Sequence, residues 1–314
     1  MTANATMLAY AQEYLAFRRA LGFTLGTLGQ EVLLFARWAD RTGHTGPLTT
    51  ELIVRWAQQT PRRSPAYWAW RFHAVRLFAR HRALSDPQTE VPPAGLLGPT
   101  FRRGRPHIYS SAEITALLAA ARTLRPGLRP HTYVALFGLL IATGLRVGEV
   151  LALCQADVDL EEGLLTIRKA KAGQSRLVPL HPSTTEALRR YVKVRDRLHI
   201  RRRTEAFFVT VRGTALTYQW VTKTFRVLRR QLGWATTPRA GAPRVHDLRH
   251  TFAVRALLHW YETGADIDAH IATLATYLGH VNVTDTYWYL SAVPELLAIG
   301  ASRFETFAES GGRS

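Results

Sequence analysis

Val134-Ala-Leu-Phe-Gly-Leu-Leu-Ile-Ala-Thr-Gly144-Leu-Arg146-Val-Gly-Glu149 is the stretch on which the reading of this chain turns. Val134 to Ala142 is a nearly unbroken apolar run and predicts a buried helix. Gly144 breaks that helix, and Arg146 stands at the start of a new one. Free backbone N–H groups and a guanidinium at such a point make an anion site.

Outward from this point the pattern is mainly α with a small antiparallel β-sheet, an α+β arrangement. Leu164 to Ile167 and Leu177 to Leu180 read as two strands around a turn at Ala170 to Ser175, and Phe207 to Thr210 as a third strand. Ser110-x-x-Glu113 is a capping box that opens this domain before Ile114, Leu117 and Leu118. Upstream, Thr6 to Ala83 is helical throughout, with apolar stripes such as Tyr10, Tyr14, Leu15, Phe17 and Leu21. Ser64 and Pro65 open a helix that turns Trp68, Phe72, Val75 and Phe78 inward. Arg71, Arg76 and Arg80 fall off that stripe, which suits either a DNA clamp or a plain bundle with a basic surface. The expected division is a helical domain over 1–84, a linker over 85–108 and a second domain over 109–314. The linker is rich in Pro and Gly and carries Arg102, Arg103 and Arg105, which can lie along a DNA backbone or simply be solvated.

The 314 residues hold 47% hydrophobic residues, ample for two cores, and no apolar run is long enough to span a membrane. Met1 to Tyr10 shows no basic stretch followed by an apolar core, so a cytoplasmic setting is expected. Cys154 is the only cysteine. It excludes an internal disulfide and a CxxC metal pair, and its apolar neighbours predict a packed thiol. The net charge is +18, of which +5 lies up to Thr100 and +13 beyond it. Charge spread over both parts points to a polyanion, chiefly nucleic acid. Of 41 basic residues 37 are Arg, so each of the few lysines, Lys171 among them, stands out as a side chain able to give up a proton.

Four segments carry candidate chemistry. They are Ala142 to Glu149; the turn Lys169-Ala-Lys171-Ala-Gly-Gln-Ser-Arg176; Val245-His246-Asp-Leu-Arg249-His250-Thr-Phe-Ala; and Tyr277-Leu-Gly-His280 with Tyr289 nine residues on. His246 and Arg249 are three apart and share a helix face. Two Arg and two His meeting at one point would neutralise a phosphodiester and stabilise five-coordinate phosphorus. A tyrosine, with a pKa near 10, needs a neighbouring base or cations to attack. A lysine on a hairpin tip can supply the proton for a leaving oxygen. Each piece also has a plain reading: Arg146 paired with Glu149, satisfied helix histidines, an exposed turn at Lys171 and Arg176, and Tyr289 as an interior aromatic.

Taken together, ATGLRVGE, HDLRHTFA and LGH followed by the tyrosine resemble the tyrosine recombinase (phage integrase) family over about Ser110 to Glu309. The helical first part is similar to that family's core-binding domain. The resemblance implies strand breakage and rejoining through a 3′-phosphotyrosyl link, with Arg146, Lys171, His246, Arg249, His280 and Tyr289 as the catalytic six and Glu149 in support. It implies duplex DNA carrying a recombination site as partner, and a tetramer of this chain or of related recombinases on DNA. It implies no cofactor and no metal. Among basic residues, Arg71, Arg76, Arg80, Arg102, Arg103, Arg105 and Arg176 are the candidate DNA contacts.

Two departures accompany the resemblance. Trp260 to His270 reads as an insertion that lengthens a loop, and Tyr287 is a rival nucleophile that the spacing from His280 disfavours. The stripe Val293, Leu296, Leu297, Ala301, Phe304 and Phe307 predicts a terminal helix that docks either on a neighbouring protomer or on its own domain. Two other functions stay open at this stage: a type IB topoisomerase, and an inactive DNA-binding accessory protein. Trp288 to Leu296 loosely resembles recombinases carried on mobile elements.

Overall fold

A computed structural model describes residues 6–60, 64–100, 106–168, 175–198, 203–234, 242–279 and 286. The chain divides into two compact units, Met1–Arg103 and Gly104–Ser314.

The first unit is helical: α1 (Met7–Ala20), α2 (Gly26–Arg41), α3 (Thr50–Gln58) and α4 (Pro65–Arg82). Its core joins Tyr14, Leu15, Phe35, Ile53, Trp56, Phe72, Val75 and Phe78, as the apolar stripes require. The starts of α1, α3 and α4 are fixed by side-chain caps at Thr6, Thr49 and Ser64. Ser64 Oγ accepts from the Tyr67 amide at 3.3 Å, and Asp40 of α2 accepts from the free amides of Met7 and Leu8 at 2.8 and 3.0 Å.

Arg71 is not on the outer face. It is 6% exposed; its Nε donates to Glu31 at 3.1 Å, its Nη1 donates to the Trp56 and Ala57 carbonyls, and its guanidinium stacks 3.7 Å over the Trp56 ring. It is therefore a core strut and not a DNA contact, because its charge is already neutralised inside the unit. Arg71→Ala leaves Glu31 buried without its cation, so the full chain should lose about 3–5 kcal/mol in denaturant unfolding of this unit. The salt dependence of DNA binding should stay unchanged. Arg80 is exposed, and Arg76 is half-buried with its Nε on the Pro92 carbonyl at 2.7 Å.

That last bond corrects the linker. Glu90 donates its amide to the Leu48 carbonyl at 2.8 Å, and its carboxylate accepts from the Thr50 amide at 2.7 Å, capping α3. The stretch from Ser85 through Pro92 is thus built into the first unit, and an extended linker can begin only beyond it.

The second unit holds α5 (Ser111–Arg122), α6 (Leu128–Thr143), α7 (Val147–Ala152), β1 (Val158–Asp159), β2 (Leu164–Ile167), β3 (Arg176–Pro179), α8 (Pro182–Arg197), α9 (Tyr218–Gln231), α10 (Asp247–Glu262) and α11 (Ile267–Leu278). The strands form one antiparallel sheet in the order β1-β2-β3, with Leu165 opposite Val178. Both capping-box bonds are made at Ser110 and Glu113, at 3.1 and 2.8 Å. α6 is the buried apolar helix and crosses the centre of the core with α8 and α10 beside it.

Three expectations change here. Phe207 to Thr210 makes no strand in the sheet; it makes only a single bridge, Val209 to Ala215, because the chain turns back at once through Thr210–Gly213. Cys154 is only partly buried, at the edge where its amide donates to Asp157. Trp260 to His270 is not loop: it is the end of α10, a tight corner and the start of α11. The corner is held by the Ala265 amide on the Trp260 carbonyl and by the Trp260 and His270 rings stacked 4.9 Å apart. No helix among the described residues is long and apolar enough to cross a membrane.

Candidate active site

The break after α6 is where the site begins. Gly144 caps α6 in the left-handed conformation at φ +61°. A Cβ at this position would lie 2.8 Å from Phe252 Cγ, so only glycine admits the close approach of α10. That approach lets Arg249, one turn into α10 and 3% exposed, donate from Nη1 to the Gly144 carbonyl at 2.8 Å.

Two residues on, Arg146 is the N-cap of α7. Its backbone amide is not free for an anion, since it donates to Glu149 Oε2 at 3.0 Å. Any anion capacity here therefore belongs to the guanidinium. Nη1 of Arg146 donates to Glu149 Oε1 at 3.1 Å. Arg176, the first residue of β3, grips the same carboxylate with both Nη atoms at 3.1 and 3.0 Å. Burial works to raise the Glu149 pKa; the hydrogen bonds and charges of Arg176 and Arg146 outweigh it and hold the carboxyl below its usual range.

The three arginines then meet on one object, the C-terminal end of α11. Arg176 Nε donates to the Tyr277 carbonyl at 2.9 Å, Arg249 Nη2 to Leu278 at 2.7 Å, and Arg146 Nη2 to Gly279 at 2.9 Å. The last carbonyls of a helix lack intrahelical partners and carry the negative end of its dipole, so guanidinium groups bind them well. Gly279 turns the chain at φ +67°, and a Cβ there would stand 2.9 Å from Arg176 Nη1. His280 follows directly. Arg176 is thus no free cation at the hairpin, as a DNA contact would require: it is 14% exposed and each of its three nitrogens has an acceptor.

His246 precedes α10 and is exposed at its N-terminal end. Its ring meets that of His250 edge-on at 4.9 Å. Desolvation by the surrounding groups lowers its pKa, and the charges of Arg249, Arg244 and Arg146 lower it further against the opposing pull of Asp247. The ring is therefore neutral at pH 7 and able to accept a proton. In an NMR titration of the free protein its midpoint should lie below pH 6.5. With the folded pKa depressed, its contribution to stability is present above about pH 6.5 and is lost as pH falls below the unfolded value.

The structure therefore brings together Arg146, Glu149, Arg249 and His246 from the expected set, and adds Arg176 and the 277–279 carbonyls. Three guanidinium charges against one carboxylate leave the site positive, suited to a phosphodiester. Lys171, His280 and Tyr289 lie outside the described residues, as do Tyr287, Arg102, Arg103, Arg105 and the stripe from Val293 to Phe307. Thr286, three residues before Tyr289, is fully buried.

Residues 109–295 match the model of the phage integrase family. The y4rB chain of Sinorhizobium fredii, whose name describes an integrase/recombinase, is 43% identical over 94% of this chain and 95% of its own. The tyrosine recombinase XerD of Lacticaseibacillus casei is 32% identical over 88% of this chain and 90% of its own. Among solved structures, the Tn1549 transposon integrase in complex with transposon right end DNA superposes with a TM-score of 0.69 over 95% of this chain and 99% of that chain, at 15% identity. The XerH site-specific recombinase bound to palindromic difH substrate does so with a TM-score of 0.62 over 89% and 79%, at 18% identity. At such identities the superpositions speak for the fold alone; kinship rests on the sequence matches.

Proposed function

The chain belongs to the phage integrase family, whose enzymes cut and rejoin DNA strands, and from that premise we propose that Tyr289 attacks the scissile phosphate of a duplex recombination site. The new bond joins the phenol oxygen to phosphorus, the bond to the 5′ oxygen breaks, and the energy of the ester is kept in a 3′-phosphotyrosyl link. A 5′ hydroxyl from a partner duplex reverses the step, so no ATP is consumed. Arg146 and Arg249 hold the non-bridging oxygens. His246, neutral at pH 7, takes up the proton of the tyrosine. Lys171 protonates the leaving oxygen, and His280 donates to the phosphate. Glu149 braces Arg146.

One observation carries this reading: Arg146 and Arg249, 103 residues apart in the chain, bond adjacent carbonyls of the turn that leads into His280 and, nine residues later, Tyr289. The basic residues Arg76, Arg80, Arg102, Arg103 and Arg105 serve as backbone contacts, in keeping with a chain of net charge +18. The helical domain also binds the duplex, and four protomers, of this chain or of related recombinases, assemble on two sites in the cytoplasm. Movement of a mobile element is the setting that the WYL-x-x-x-PEL segment favours.

The test is to incubate the purified chain with sheared DNA of its own genome, trap covalent adducts with denaturant and sequence the attached fragments. Adducts should gather at one short recurring site. A complete absence of adducts, or adducts without any common sequence, would refute the proposal.

A further inference from the structure

Arg176 has more partners in the site than any role on a hairpin turn requires. Its guanidinium spans Glu149 with two bonds and the Tyr277 carbonyl with a third. It joins three chain segments: β3, the α7 start that carries Arg146, and the α11 end that leads to His280. The other side of the same hairpin is also pinned, since Arg168 pairs with Asp157, which in turn accepts from the Cys154 amide. Arg146 is held at two points, Glu149 Oε1 at 3.1 Å and the Gly279 carbonyl at 2.9 Å, and these two anchors lie on separate segments of the chain. Arg176 closes the ring by locking Glu149 to the α11 turn.

We infer that Arg176 is a positioning residue for strand cleavage: it acts through Glu149 and the 277–279 turn to fix Arg146 at the phosphate, and it makes no contact with DNA. The inference rests on the recombinase reading above. Its consequence is a separation of rate from binding. A phosphate contact, when lost, weakens binding and lowers the salt slope of log K by about one. A positioning residue, when lost, misplaces a reacting group by something near 1 Å and costs about 100-fold in rate.

The experiment uses the full chain and the duplex recovered by adduct sequencing, nicked so that cleavage is irreversible. Wild type, Arg176→Met and Arg176→Lys are compared for single-turnover adduct formation, for duplex binding between low and moderate salt, and for thermal stability. We expect Arg176→Met to form adduct about 100-fold more slowly, with binding within about threefold of wild type and an unchanged salt slope. Arg176→Lys, which keeps the charge but loses the fork, should recover only part of the rate. Glu149→Gln combined with Arg176→Met should be no slower than the worse single variant, because the two residues form one unit. A salt slope reduced by about one, or a rate equal to wild type in a folded Arg176→Met protein, would overturn the inference. A wild-type chain that forms no adduct would instead refute the recombinase reading itself.

Discussion

Tyr289→Phe removes all covalent attachment to DNA while leaving duplex binding within about twofold of wild type, an expectation that follows from the chemistry of nucleophilic catalysis. The phenol oxygen is the atom that enters the phosphorus, so its loss removes the intermediate and not merely a fraction of the rate. Binding persists because it is supplied by cations spread over a chain of net charge +18, none of which the substitution touches. Tyr287→Phe, two residues away, should retain adduct formation. The assay is a denaturing gel of labelled nicked duplex, and persistent adduct in Tyr289→Phe would remove that residue from its role.

Arg249→Ala carries the next largest effect. Arg249 is 3% exposed and bonds the Gly144 and Leu278 carbonyls, so it ties α10 to the α6 break and to the α11 end, and on the proposed mechanism it also holds the phosphate. Its removal should slow adduct formation by about 10³-fold, as expected for a preorganised donor to developing charge. Two buried carbonyls would also lose a charged partner, a cost of about 1–3 kcal/mol each in stability. Arg249→Lys should restore little, since an ammonium cannot reach two carbonyls and a phosphate in one plane. Single-turnover kinetics well below the melting temperature separate the chemical loss from the stability loss.

The legible parts of this molecule were those written in local pattern. The apolar run ending at Gly144, the Ser110–Glu113 capping box and the β2–β3 hairpin, whose partners are at most 15 positions apart, are each decided by nearby stretches of chain, and each is present. His246 and Arg249 share the start of α10 for the same reason. The parts that could not be read are pairings across long stretches of chain. Arg71 looked like a surface cation because its acceptor, Glu31, lies 40 residues earlier on another helix. Arg176 looked like an exposed turn residue because its partners lie 27 and 101 residues away. The amide of Arg146 looked free because a glycine break suggests an open helix start, yet Glu149 reaches back to fill it. The Pro-rich stretch from Ser85 looked like linker by composition, and only the bond of Glu90 to Thr50 shows it docked. Glycine next to a helix end was the one signal for the 277–279 turn, and it does not reveal which cations the turn collects.

The most direct measurement is mass spectrometry of the trapped adduct after nuclease and protease digestion. The nucleotide mass should be found on a single peptide, attached at Tyr289 through its 3′ phosphate. Attachment at any other residue, or through a 5′ phosphate, would contradict the mechanism drawn from Arg146, His246 and Arg249.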